Sequence, residues 1–233
     1  MTEPNTRSSD SLANLRLEAV GDICGKFLVP AYQRGYRWGE EQVRLLLDDI
    51  GAIDRGNYCL QPVVVKRLSA GRYELIDGQQ RLTTLYLIFR YMKQEGLKNP
   101  EPPFSIEYET RTRSAEFLAE IDEKKKDDNV DFFHMYGAYR CIREWFERHG
   151  HRKQFAADRF YSHLFEWVKV IWYEVDPDVD SSVLFTRLNV GRIALTNAEL
   201  VKALLLRRIR GDGLSSDQIH QRRQIEISTQ WDL

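Results

Sequence analysis

Residues 73–85, Y-E-L-I-D-G-Q-Q-R-L-T-T-L, constrain this chain more than any other stretch. Tyr73, Leu75 and Ile76 suit a short, mostly buried strand, and Gly78 permits a tight change of direction that a Cβ would hinder. A helix is expected from about Gln79, with Leu82, Leu85, Tyr86 and Phe89 at i, i+3, i+4 and i+7 forming one buried stripe. Gln79, Gln80 and Thr83 are left near the helix mouth. Such a junction favours an anion, because the first backbone N–H groups of a helix lack intrahelical partners and carry the positive end of the macrodipole. Arg81 adds a planar fork that matches phosphate oxygens, and Asp77 is placed to hold a divalent metal or orient a water. The same residues also suit plain turn chemistry, with Asp77 capping the helix and Arg81 pairing with a surface carboxylate.

Around this centre the periodicity alternates between strand and helix. The apolar positions Leu12, Leu15, Leu17, Val20 and Ile23 read as a short helix, and residues 27–29 as a strand ended by Pro30, which lacks a ladder donor. The next run interleaves Tyr32, Tyr36 and Trp38 with Arg34 and Arg37. It fits stacking on bases with phosphate contacts, or a close-packed loop whose aromatics enter the core and whose arginines meet carboxylates. Val43, Leu46, Leu47 and Ile50 predict a helix over 40–54, with Asp48 and Asp49 opposing its dipole and so needing partners. Residues 58–67 read as a strand interrupted at Pro62, turning at 69–71 into the central strand. Further on, 104–108 suits an edge strand, 116–126, 132–148 and 155–165 suit helices, and 180–188 a short helix. The near-continuous apolar run 168–175 suits a strand inside the sheet. Thr196 and Glu199 form a capping box ahead of Lys202, within a region whose residues 201–223 carry a local excess of four positive charges.

Composition removes several function classes. At 233 residues, 42% hydrophobic and 30% charged, the chain reads as a soluble protein with a proper core, and a net charge of −1 leaves any nucleic-acid contact to local patches. No window approaches the ~18 apolar residues of a membrane span, and the start has no apolar signal core, so residues 1–14 read as a disordered tail. Cys24, Cys59 and Cys141 are odd in number and far apart. They read as reduced, buried thiols of a cytoplasmic protein. His134, His149, His151 and His163 fit no metal-binding pattern, Gly21 to Lys26 lacks phosphate-loop spacing, and nothing supplies the His and carboxylate arrangement needed to cut a phosphodiester.

Three blocks together resemble one family: V-P-A-Y-Q-R-G-Y-R-W at 29–38, L-I-D-G-Q-Q-R-L-T-T-L at 75–85, and F-T-R-L-N-V-G-R-I-A-L-T-N-A-E-L-V-K-A at 185–203. They look like the N-terminal domain of GmrSD-type modification-dependent restriction proteins, and the agreement runs from about residue 15 to 233. The resemblance implies an α+β fold, a ParB/sulfiredoxin-like small mixed sheet surrounded by helices with a mostly helical C-terminal half. Its core would span 15–110, and 111–233 would return the strand 168–175 and the N-x-G helix to that core. It implies a nucleoside triphosphatase, GTP favoured, that uses Mg²⁺ and senses modified DNA; the alternative is a non-catalytic sensor of a modified base or phosphorothioate. A separate C-terminal His-Me finger (HNH-like) nuclease domain would cut. Asp77, Gln80 and Arg81 would be catalytic, with Asp77 on the metal. Gln33, Arg34, Gly78, Gln79 and Asn189 would bind nucleotide, and Pro30, Tyr32, Gln33 and Trp38 would face a modified base or a phosphorothioate. A homo-oligomer stays open. The chain stops at S-T-Q-W-D-L, which reads as a helix cut short before a following domain. One departure is Leu60-Gln61-Pro62, where relatives often have Leu-Gly, so specificity beside the pocket is expected to differ.

Overall fold

The computed structural model describes residues 15–98 and 101–189, and within them six strands form one mixed sheet. In chain order these are β1 (Leu15–Ala19), β2 (Gly25–Val29), β3 (Tyr58–Ser69), β4 (Arg72–Asp77), β5 (Phe104–Tyr108) and β6 (Val168–Val175). Across the sheet the order is β1-β6-β3-β4-β2-β5. β3 and β4 are the antiparallel hairpin expected at residues 69–71, whereas β2 runs parallel to both β4 and β5, and β6 parallel to β3. The helices are α1 (Glu40–Gly51), α2 (Gln79–Gln94), α3 (Thr112–Ala119), α4 (Val130–Glu147), α5 (Lys153–Glu166) and α6 (Ser181–Asn189). This is the α+β architecture expected. β6 lies inside the sheet and β5 at its edge, as their apolar patterns predict.

Alternating side chains divide the sheet into two faces. Val168, Val170 and Trp172 of β6 join Val63, Val65, Leu75 and Phe27 in a large core with α1, α2, α4 and α5. On the other face Val64, Ile76 and Val175 pack with Ala31, Tyr32 and Phe185 of α6. The tips of α1 and α4 are tied together across the first core. Asp48 accepts from Trp145 Nε1 and from Arg148, each at 2.7 Å, and Asp49 accepts from the Tyr58 hydroxyl at 2.6 Å. These are the partners that the two carboxylates need against the helix dipole.

Several expectations are corrected. Residues 15–19 form a strand, not a helix, because the two-residue alternation of Leu15, Leu17 and Ala19 finds its partner in β6, which lies far along the chain. Pro62 does not interrupt β3, since a register shift between Leu60 and Val63 takes up the missing donor as a bulge. The helix expected over 116–126 starts earlier and stops at Ala119, after which Glu120 is extended and residues 123–125 make a 3-10 turn. α2 is buried nearly all round, and only Gln80, Tyr86, Arg90, Lys93 and Gln94 escape. It is a central helix and not a one-sided one. All three cysteines are free, but Cys24 and Cys59 are exposed and only Cys141 is buried. Among the described residues no group of three or more metal-ligating side chains converges, and no helix is long and apolar enough to cross a membrane. Residues 1–14, Thr196, Glu199, Lys202 and the basic region 201–223 lie outside the described residues.

Candidate functional site

The junction between β4 and α2 is built by close approach. Gly78 is the N-cap of α2 with a left-handed φ of 102°, and a Cβ there would stand 3.1 Å from Val63 Cγ2 and 3.3 Å from Val63 Cα. Only glycine meets both demands at low cost. Glycine brings no capping side chain, so the N-terminus of this 16-residue helix has no side-chain cap. The first intrahelical bond runs from Leu82 N to Gly78 O at 3.0 Å. The N–H groups before it are the ones a phosphate would use. Asp77, half-buried, ends β4 on one side of this opening, and Gln79 and Arg81 are buried on the other.

The loop 30–39 is laid over the junction by hydrogen bonds from both glutamines of the flanking motifs. Gln80 Oε1 accepts from the backbone N–H of Arg37 at 2.8 Å and of Trp38 at 3.2 Å, while its Nε2 donates to Gly35 O at 3.1 Å. Gln33 Nε2 donates to Leu75 O and to Ile76 O, fixing the loop on the end of β4. Both amides therefore position backbone. Tyr36 is fully buried with its hydroxyl 2.8 Å from Thr84 Oγ1, and burial raises its pKa well above the ordinary tyrosine value. Tyr32 is buried against Phe185, rings 5.2 Å apart, and its hydroxyl donates to Glu74. Pro30 is buried too, and Trp38 packs on the other core, so the aromatics of this run are packed as in a close loop. Arg34 of this loop is half-buried and makes no hydrogen bond or ion pair among the described residues.

Arg81 is held by the β3 bulge. Its Nη1 donates to Gln61 Oε1 at 2.6 Å and its Nη2 to Pro62 O. Gln61 and Pro62 of β3 thus meet the arginine of the D-G-Q-Q-R turn directly. Beneath the start of α2 the Gln79 amide, the Thr83 hydroxyl and the Tyr108 hydroxyl are buried beside one another. Burial pushes the Tyr108 phenol up to about 12, opposed by Thr83 and Gln79 beside it.

A second frame, not visible in the sequence, holds the loop from outside. Glu109 accepts from Ala31 N at 2.7 Å, Arg111 Nη1 donates to Gln33 O at 3.1 Å, and Asp131 receives Arg37 Nη1 at 2.5 Å with Arg111 Nε 3.4 Å away. Ser114 donates to the same carboxylate at 3.2 Å. The contacts that Glu109, Arg111 and Asp131 make with the loop join residues 78 to 94 positions apart, beyond any local pattern. Asn189 closes α6, and its side chain lies outside the described residues.

The family model for the N-terminal domain of GmrSD restriction endonucleases matches residues 17–206, which spans the junction, the loop and every described strand but the start of β1. The chain belongs to this family. No curated protein matches it. As a GmrSD N-terminal domain it is a component of a restriction protein, in the defence against phage, and the match takes in the D-G-Q-Q-R segment at the start of its central helix.

Proposed function

We propose that this GmrSD N-terminal domain binds and hydrolyses a nucleoside triphosphate at the start of α2, with GTP favoured, and thereby regulates cleavage of modified DNA by a nuclease domain. The observation that carries the reading is the opening of α2 on a left-handed glycine without a side-chain cap, between Asp77 and the loop bearing Arg34. A helix N-terminus so arranged receives phosphate oxygens on main-chain N–H groups. Arg34 supplies a further cation to the phosphates, and Gln79 a buried amide. Gln33 and Gln80 hold the loop in place. Arg81, clamped by Gln61 and Pro62, sets the distance between β3 and the phosphates.

Mg²⁺ fits the donor set. It is usually held by one or two carboxylates together with substrate phosphates, and Asp77 offers one hard oxygen donor at the mouth. The ion would neutralise charge on the transferred phosphoryl group; Asp77 would hold it and orient the attacking water. The domain is expected to act in the cytoplasm, on a ParB-like scaffold, beside a His-Me finger (HNH-like) nuclease domain.

GTP turnover by the purified chain tests the reading. Asp77→Ala and Arg81→Ala should each reduce it at least tenfold with the circular-dichroism spectrum retained and melting still cooperative. Unchanged turnover in both would remove the site. The sensing role for Pro30, Tyr32, Gln33 and Trp38 has its own test, a competition of phosphorothioate or base-modified duplex against plain duplex. Equal competition with a steep salt dependence would mean phosphate contact alone.

A further inference from the structure

The two edges of the sheet are treated differently. β5 is sheltered, its residues alternating between buried and half-buried with α3 packed against it. β1 is not. It pairs with β6 on one side, and among the described residues no strand lies on its other side. Leu15 and Leu17 stand 48% and 63% exposed there, opposite Tyr173 and Ile171 in the ladder. An open edge carrying exposed leucines is a template for another strand, which proteins otherwise blunt or cover.

We propose that β1 is a dimerisation edge, pairing antiparallel with β1 of a second copy about a two-fold axis through Leu17. The sequence L-R-L-E-A is complementary to itself in that register. Leu17 meets Leu17 of the second copy, Arg16 meets Glu18, Glu18 meets Arg16, and Leu15 meets Ala19. Opposite charges directly across an antiparallel pair stabilise it, and like charges destabilise it. A shift of two residues either way sets Arg16 against Arg16 or Glu18 against Glu18, and a shift of one sets Leu17 against a charge, so the register is specified. Within one chain Arg16 already lies over the Trp172 ring and 2.6 Å from Glu18, which holds both charged groups on the same face of the strand. A self-complementary patch is what a two-fold interface needs, and it selects a second copy over an unrelated strand.

A five-residue strand pair is a small contact, so the dimer is weak and concentration-dependent. Sedimentation equilibrium of the 233-residue chain from about 1 to about 300 μM, a span suited to weak interfaces, should show a monomer–dimer equilibrium. R16E alone and E18R alone should each weaken it at least tenfold, as should L17K, with cooperative melting retained. R16E mixed with E18R should restore the dimer, because an acidic strand then faces a basic one. Monomer throughout for the wild type would overturn the proposal, as would single variants that dimerise like the wild type or a mixture that stays monomeric.

Discussion

Gly35 lies so close to Asp131 that a Cβ built on it would run into the carboxylate group. The Y-Q-R-G-Y-R-W segment therefore needs its glycine to let Arg37 and the backbone at Gly35 approach one buried acid, which Arg111 and Ser114 also contact. Gly35→Ala should destabilise the fold by about 2 kcal/mol, the scale of overpacking in a full interior. Asp131→Ala should cost about 3 kcal/mol by stranding its arginines. In urea denaturation the double variant should cost less than the sum, since the methyl then enters the space the carboxylate left.

Gly78→Ala places a Cβ against Val63 at a φ of 102°. A loss of roughly 2 kcal/mol is expected, from the left-handed conformation together with the contact. Because the same turn aims the first N–H groups of α2, triphosphate affinity should fall as well. Stability lost without any change in affinity would separate the turn from the site.

Much of this arrangement is legible in the chain, and the misses have a common cause. The strand, turn and helix at 73–85 are local, so Gly78 and the spacing of Leu82, Leu85 and Phe89 announce them. The strand at Leu15 is misread as helix because its alternation is short and its partner Tyr173 is distant in sequence. The single stripe read for α2 fails for the same kind of reason, as Arg81, Thr83 and Thr84 are buried by β3, β5 and the loop rather than by anything near them in the chain. Glu109, Arg111 and Asp131 leave no signal at all, each being an ordinary charged residue until the fold sets it beside the loop.

The acid side of the stability curve should depend on Asp48. Burial works to raise its pKa, but hydrogen bonds from Trp145 and Arg148 outweigh that and hold it below the ordinary aspartate value. The unfolded chain, titrating near ~3.9, therefore takes up the proton first. The contribution is whole above that value and is lost as pH falls through the lower folded one. Asp48→Asn should lower the melting temperature at about pH 7, with the difference from wild type shrinking as pH falls below the unfolded value and through the lower folded one.

Arg81→Lys keeps the charge but cannot reach Gln61 and Pro62 together as a planar fork does. Turnover of GTP should fall at least tenfold while melting changes by a few degrees. Gln61→Ala, which frees one guanidinium nitrogen, should change turnover in the same direction and by less.

The central claim is that the uncapped start of α2, with Asp77 at its mouth, is a triphosphate site. Calorimetric titration of a non-hydrolysable GTP analogue into the chain, with and without Mg²⁺, tests it most directly. Binding that strengthens at least tenfold with Mg²⁺ in the wild type, and loses that dependence in Asp77→Asn, is the predicted result. No binding under either condition, or the same Mg²⁺ dependence in Asp77→Asn, would contradict it.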